Sequence, residues 1–152
     1  TEALATLLRL SPAIVGPSGA APFVRFIRPD VEHSAVLAAC NPGGLGVPND
    51  GDGVVRLDAL EALLAQPEAA IVALQAANGE TGVLQPVAQA AAMARAAGAL
   101  TICDAVAAFA KIPLDIAALG VDALVVSAHK IGGPKGVGAI ILNGERLVIA
   151  EP

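Results

Sequence analysis

The residues best suited to chemistry lie within "VVSAHKIGGPKGVGA" (125–139), where Ser127, His129 and Lys130 follow an apolar run. An amine at a partly dry site loses some of its preference for the charged form and becomes nucleophilic. The glycines that follow Lys130 leave space around the amine. The segment therefore predicts that Lys130 forms an imine with a carbonyl compound.

Two further polar residues follow apolar runs of strand length. Asn78 follows "AAIVALQAA" (69–77), and Asp104 follows "ALTIC" (99–103). In open parallel sheets, ligands bind just beyond the carboxyl ends of the strands. Taken singly, a carboxylate at a strand end is often a helix cap, and a histidine beside a lysine is often a solvated loop residue. Their common position after strands favours one site that contains an amide, a carboxylate and Lys130.

The elements that must position these residues alternate between strand and helix patterns. Continuous apolar runs separated by helical segments predict an α/β fold with a mostly parallel sheet flanked by helices. Asp58 and Glu61 resemble a capping box at the start of one helix. The other predicted helices are 2–10, 32–39, 86–98 and 115–120, and the predicted strands are 23–27, 69–77, 99–103, 123–127 and 137–142, with room for a short strand around 45–47.

Composition narrows the functional class. The chain has 152 residues, 55% of them hydrophobic and 2% aromatic, so one domain with an aliphatic core is expected. A net charge of -5 argues against nucleic acid as a partner. No apolar run approaches the roughly 20 residues that span a bilayer, and no targeting segment is visible. Cys40 and Cys103 form neither a disulfide framework nor a metal pattern, so we expect a cytoplasmic protein without a metal site.

Among carbonyl cofactors, pyridoxal 5′-phosphate requires a carboxylate for its pyridinium nitrogen and donors for its phosphate. Asp104 can supply the carboxylate, and Ser127 and His129 can supply the donors. "GGPKGVG" has no lysine followed by serine or threonine, and "GVGAII" lacks the third glycine of a dinucleotide fingerprint. A nucleotide phosphate loop and a dinucleotide site are therefore disfavoured.

The chain resembles a known family at these residues. "SAHKIGGPKGVGA" is similar to the lysine segment of cysteine desulfurases, which belong to the class V aminotransferases among fold-type I pyridoxal phosphate enzymes. "VEHSAVL" (31–37), "NGETGVLQPV" (78–87), "DAVAAFAKIPLD" (104–115) and the initial Thr1-Glu2 resemble further segments of that family in the same order. The resemblance implies that residues 1–152 are the central part of the large cofactor domain, without its N-terminal segment and C-terminal small domain.

The resemblance also implies residue roles. Lys130 would bind the cofactor covalently and move the proton at the substrate's alpha carbon, and Asp104 would keep the pyridine nitrogen protonated. His33 would stack on the ring and is a second candidate for proton transfer. Thr1, Ser127 and His129 would hold the phosphate. The complete set of implied cofactor-binding residues is Lys130, His33, Asp104, Ser127, His129, Asn78 and Thr1.

The implied reaction converts L-cysteine to L-alanine and passes the sulfur to an enzyme cysteine as a persulfide. Its implied partners are a sulfur-acceptor protein, in iron–sulfur cluster biogenesis for example, and a second subunit of a homodimer. In the family the accepting cysteine lies well after the lysine, and neither Cys40 nor Cys103 matches it. We therefore expect no turnover from these 152 residues alone.

Two positions depart from the family pattern. Gly79 occupies the place of an asparagine that contacts the cofactor, and Ala107 occupies the place of a glutamine that contacts the ring oxygen. Three alternatives to a cysteine desulfurase stay open at this point: a class V aminotransferase, a selenocysteine lyase, and a degenerate domain of the same fold that has lost catalysis.

Overall fold

The computed structural model describes residues 14–15, 25–40, 43–144 and 146–149. The predicted helix 2–10 and the predicted phosphate ligand Thr1 lie outside these ranges. The strands are β1 (Ile14–Val15), β2 (Arg25–Pro29), β3 (Leu45–Val47), β4 (Ala70–Gln75), β5 (Leu100–Asp104), β6 (Ala123–Ser127), β7 (Gly138–Leu142) and β8 (Val148–Ile149). The helices are α1 (Ser34–Ala39), α2 (Leu57–Leu64), α3 (Val87–Ala96) and α4 (Ile116–Leu119), and a 3₁₀ helix spans Ala128–Ile131.

Six strands form one sheet in the order β3-β2-β4-β5-β6-β7. All neighbouring pairs from β3 to β6 are parallel, and β7 pairs with β6 in the antiparallel direction. Every residue of β4 and β5 is buried, as expected for parallel strands covered on both faces. The predicted fold class is confirmed. The sequence analysis predicted neither β1 nor β8, which pair with each other in a separate sheet.

The sheet separates two apolar layers. Alternate residues of β4 point to opposite faces, so Val72 belongs to the layer that contains α2 and α3, and Ile71 belongs to the layer that contains α1. Cys103 lies in the first layer and Cys40 in the second, and both thiols are unpaired and buried. Burial raises the pKa of Cys40 to about 11 and raises the pKa of Cys103 further. Both cysteines are therefore core residues with little thiolate at neutral pH.

Most helix ends follow their sequence signals. Pro86 precedes α3 and Gly98 follows it in the left-handed conformation, with φ of 75°. The Asp115 carboxylate caps α4 by accepting hydrogen bonds from the backbone amides of Ala117 and Ala118, and Gly120 ends the helix. The capping box predicted at Asp58 is wrong. Asp58 lies inside the first turn of α2, where its carboxylate binds the Arg56 guanidinium instead of a backbone amide.

No helix in these ranges is long and apolar enough to cross a membrane. Across the same ranges, no three His, Cys, Asp or Glu side chains are grouped so that they could hold a metal ion.

The turn after β5 contains a strained residue. Ala110 has φ of 59° and is the only non-glycine residue in the described part of the chain with a positive φ. An L-residue with a Cβ costs roughly 1–2 kcal/mol in this conformation. The strain lies immediately before Lys111, whose ammonium group donates to the Ala107 carbonyl at 2.8 Å. This turn is therefore closed at a local cost in conformational free energy.

Replacing Ala110 by glycine tests that cost. Ala110→Gly should raise the free energy of unfolding by about 0.5–1 kcal/mol, because relief of the left-handed strain exceeds the extra entropy of the unfolded chain. The measurement is chemical denaturation. Ala92→Gly, at an exposed position inside α3, is the matched control and should lower stability by about 1 kcal/mol. Equal destabilisation by both substitutions would contradict the strain assignment.

Candidate active site

Three parallel strands end at one edge of the sheet. Gln75 at the end of β4 is the register partner of Asp104 at the end of β5, and Asp104 is the partner of Val125 in β6. The 3₁₀ helix that carries Lys130 begins directly after β6. The strand ends therefore bring the predicted carboxylate and the predicted amine to the same edge, on neighbouring strands.

The segment around Lys130 forms a tight turn. Its backbone is closed by a hydrogen bond from Gly133 N–H to the Ala128 carbonyl. A Cβ at Gly133 would lie 2.7 Å from the Ala128 Cβ, so only glycine fits there without a shift. Gly132 has φ of 83° and ends the 3₁₀ helix. These glycines thus fix the geometry of the lysine segment as well as leaving space, and Lys130 itself is exposed.

Ser127 and His129 contact each other. Ser127 Oγ and His129 Nδ1 are 2.6 Å apart, and Ser127 Oγ is 3.4 Å from the Val137 carbonyl. When the serine hydroxyl donates to Nδ1, the histidine carries its hydrogen on Nε2. That hydrogen is then available to an anionic oxygen, which is the property needed in a phosphate ligand.

A cavity of about 460 Å³ lies beside this segment. Lys130, Lys111 and Asn78 provide its nitrogen-bearing side chains, and Glu80 adds a carboxylate. The rest of the wall comes from Ala77, Gly79, Thr81, Gly82, Leu84, Ala107, Ala108 and Ile112. Among the predicted site residues that the structure describes, Lys130 and Asn78 line this cavity, whereas Asp104, His33, Ser127 and His129 lie outside its wall.

Asn78 organises the loop after β4. Its side-chain oxygen accepts hydrogen bonds from the amides of Glu80 and Thr81, both at 2.9 Å, and its Nδ2 donates to the Val31 carbonyl at 3.1 Å. An amide nitrogen has two hydrogens, so one remains for a ligand in the cavity. Gly79, directly after Asn78, faces Ala107, because a Cβ built on Gly79 would lie 3.8 Å from the Ala107 Cβ. The two departures from the family pattern therefore affect one place in the cavity wall.

Asp104 is held rigidly at the end of β5. The residue is 6% exposed, and its Oδ1 accepts a hydrogen bond from the Val106 amide at 2.9 Å. Its own carbonyl accepts a bond from the Ala76 amide at 2.8 Å. The carboxyl group is therefore positioned by a backbone amide of the loop after β5, and the main chain of Asp104 is tied to the end of β4.

Sequence reasoning missed Glu32, a second buried carboxyl group at this edge. Glu32 is 6% exposed, and its Oε1 accepts a hydrogen bond from the Gln75 amide at 2.7 Å. Desolvation raises the pKa of Glu32 to about 8, and the charge of Asp104 raises it as well. The sequence signal was weak, since the predicted helix 32–39 placed Glu32 at a helix start, where an acid is normally solvated.

His33 begins α1. Its Nδ1 accepts a hydrogen bond from the Ala35 amide at 3.1 Å, so the neutral ring carries its hydrogen on Nε2. The side chain is exposed. His33 lies next to Glu32 on the loop between β2 and α1. The side chains of Gln75 and Asn78 both donate to the Val31 carbonyl of this loop, which links the loop to the end of β4.

Comparison with known proteins identifies the family. Residues 21–152 match the family model described as "Aminotransferase class-V". The chain belongs to this family. A cysteine desulfurase of Cereibacter sphaeroides is 46% identical over 120 residues, which cover 74% of this chain and 31% of that protein. The chain therefore spans about a third of the length of this curated relative.

Solved structures agree with the fold. A NifS-like protein from Rickettsia africae ESF-5 superposes with a TM-score of 0.72 at 36% identity, covering 78% of this chain and 34% of that one. A structure described as "SspA in complex with cysteine" gives a TM-score of 0.71 at 26% identity, covering 78% of this chain and 35% of that one. Class V aminotransferases generally depend on pyridoxal phosphate.

Substitution of Asn78 tests its role in the loop. Asn78→Ala removes three hydrogen bonds and should lower the free energy of unfolding by about 2–3 kcal/mol. Asn78→Asp keeps both oxygen-accepted bonds, loses the donor to Val31 and places a second oxygen against that carbonyl, so it should cost about half as much. Amide hydrogen exchange separates the two: Glu80 and Thr81 should stay protected in Asn78→Asp and exchange faster in Asn78→Ala. Equal protection in both variants would show that the side chain does not organise the loop.

Proposed function

We propose that this chain is the cofactor-binding part of a pyridoxal phosphate-dependent cysteine desulfurase, which converts L-cysteine to L-alanine and passes the sulfur to an enzyme cysteine as a persulfide. The observation that carries the proposal is the position of Lys130, on the wall of a cavity at the end of β6, next to the strand that ends in the buried Asp104. The name and identity of the Cereibacter sphaeroides relative support the choice of reaction.

The residues present fit pyridoxal phosphate. They supply an amine for covalent attachment, a buried carboxylate on the neighbouring strand, and a hydroxyl–imidazole pair beside the amine. When bound, this cofactor supplies an electron sink for negative charge at the substrate's alpha carbon. Asp104 would hold the proton of the pyridine nitrogen, and the backbone bonds that fix it mean that no reorganisation is needed at that step.

Lys130 would have two tasks, binding the cofactor and moving the proton at the alpha carbon. It is the last but one residue of the 3₁₀ helix, and the glycine-rich return behind it fixes where its backbone lies while the four-carbon side chain remains free to move. His33, with its hydrogen on Nε2, would stack against the ring and assist proton transfer. Ser127 and His129 would bind the phosphate, together with Thr1.

The sulfur-accepting cysteine would have to lie outside these 152 residues. A thiolate is the attacking species in persulfide formation, and burial raises the pKa of both Cys40 and Cys103. Both thiols also lie inside the apolar layers of the domain. In the full-length protein we infer a homodimer that uses L-cysteine in the cytoplasm and delivers sulfur to an acceptor protein, for example in iron–sulfur cluster biogenesis.

One observation favours a second candidate, a non-catalytic domain of the same fold. Gly79 and Ala107 face each other in the cavity wall at positions where the resemblance implies an asparagine and a glutamine. Loss of a hydrogen bond to a charged oxygen typically costs about 1.5–3 kcal/mol. Two such losses would weaken cofactor binding while leaving the lysine in place.

Cofactor attachment is tested by adding pyridoxal phosphate, recording the visible spectrum, reducing with borohydride and mapping the modified lysine. We expect a Schiff-base absorption band and a label on Lys130, and loss of both in Lys130→Ala. Lys135→Ala is the matched control, because Lys135 is an exposed lysine of the same segment outside the cavity wall. A label distributed over Lys111, Lys135 and other surface lysines would remove the basis for the proposed site.

Turnover is tested on the full-length protein by measuring alanine and sulfide released from L-cysteine. Activity should be lost in Lys130→Ala and retained in Cys40→Ala and Cys103→Ala, since neither buried thiol accepts sulfur. The 152-residue chain alone should release neither product. Amino transfer to a keto acid without sulfide release would favour a class V aminotransferase, and Schiff-base formation without any turnover would favour the non-catalytic domain.

A further inference from the structure

Lys111 is a second amine in the wall of the cavity that contains Lys130. Its Nζ donates to the Ala107 carbonyl at 2.8 Å, and its backbone N–H donates to the Ala108 carbonyl at 3.0 Å. Ala107 and Ala108 belong to the same wall. Ala110, directly before Lys111, is the residue with the strained φ of 59°, and strained backbone is often found at ligand sites. The turn after β5 therefore holds the Lys111 ammonium group against the cavity wall, beside Ala107.

The ammonium group of Lys111 has donors that the protein does not use. An ammonium group carries three hydrogens, and the Ala107 carbonyl accepts one of them. No carboxylate of the described part of the chain forms an ion pair with Lys111 or Lys130, although Glu80 belongs to the same wall. The Lys111 side chain is exposed. The cavity therefore offers a positively charged donor to an anionic oxygen of a ligand.

The wall around Lys111 has few other polar side-chain atoms. Gly79 has no side chain, and a Cβ built on it would lie 3.8 Å from the Ala107 Cβ. Asn78 has a single N–H left after its hydrogen bonds within the loop and to the Val31 carbonyl. Lys111 and Lys130 are the two positively charged residues among those that line the cavity. If Lys130 is used for covalent attachment, Lys111 is the charged donor that remains.

The covalent structure of pyridoxal phosphate indicates which oxygen Lys111 would meet. The ring hydroxyl and the phosphate arm are attached on either side of the ring carbon that bears the aldehyde. Lys130 would bind the aldehyde carbon, and Ser127 and His129, which lie outside the cavity wall, would bind the phosphate. The ring oxygen is then left for the wall beside Lys130. A protonated ring nitrogen favours its ionised form, because nearby positive charge stabilises an anion.

We propose that Lys111 is a cofactor-binding residue whose ammonium group donates to the ionised ring oxygen, in the part of the wall where Gly79 and Ala107 provide no polar side chain. The assignment rests on the proposed function and deepens it. Hydrogen bonds in which the partners are charged are roughly twice as strong as neutral ones. Lys111 would therefore offset the hydrogen bonds to the cofactor that Gly79 and Ala107 cannot make.

The test measures noncovalent binding, which needs neither turnover nor attachment to Lys130. Pyridoxine 5′-phosphate has the ring oxygen and the phosphate but an alcohol in place of the aldehyde, and its 3-O-methyl ether has no charged ring oxygen. Ring fluorescence reports the binding of both probes to the full-length protein freed of cofactor. Lys111→Met keeps the length of the side chain and removes its charge. It should weaken binding of pyridoxine 5′-phosphate about tenfold and leave binding of the ether nearly unchanged.

Two further variants serve as controls. Lys111→Arg keeps a charged donor and should retain most of the affinity, and Lys135→Met changes an exposed lysine outside the cavity wall and should leave both affinities unchanged. Equal binding of pyridoxine 5′-phosphate by the wild type and Lys111→Met, or an equal loss of both probes, overturns the role of Lys111 while leaving the lysine-labelling result intact. Absence of binding by the wild type overturns the proposed function together with it.

Discussion

The parallel register of β4, β5 and β6 is the constraint on which the rest of the site depends. Because Gln75, Asp104 and Val125 are register partners on adjacent parallel strands, all three strands end at one edge of the sheet. A parallel strand can rejoin the sheet only through a crossover, and α3 and α4 provide these crossovers on the way from β4 to β6. Because the helices pack on the faces of the sheet, the loops at the carboxyl ends of the strands carry the polar side chains.

The sheet edge separates groups by their exposure. Asp104 at the end of β5 and Glu32 in the loop after β2 are buried, and each carboxyl group accepts a hydrogen bond from a backbone amide, which positions it before a ligand binds. Lys130 is exposed at the end of a short 3₁₀ helix, where its flexible side chain can reach into the cavity. A rigid carboxylate and a mobile amine are suited to different tasks, since the first must stay aligned with one atom and the second must bind and then move a proton.

Sequence reasoning succeeded where one local pattern determines the outcome. Continuous apolar runs located β4, β5 and β6 to within two residues, and the Pro86 and Gly98 signals located α3. It failed where a distant partner decides. The pairing of β1 with β8 joins segments 133 residues apart, and Glu32 is held by the Gln75 amide from another strand. Neither partner is visible in a sequence window. Asp58 is a different case, because its partner Arg56 is only two residues away and competes successfully with the backbone amide.

Carrying residue roles from a family onto a chain therefore requires an account of the hydrogen bonds that each side chain already makes. Asn78 illustrates the point, because its oxygen and one of its two N–H groups are committed to the loop and to Val31, which leaves a single donor for a ligand. Gly79 and Ala107 remove polar atoms from the same wall. Glu32 has the opposite character, since one of its carboxyl oxygens is buried without a hydrogen-bond partner among the described residues, although sequence spacing did not single this residue out. The site is thus defined as much by which polar atoms are already satisfied as by which residue types are present.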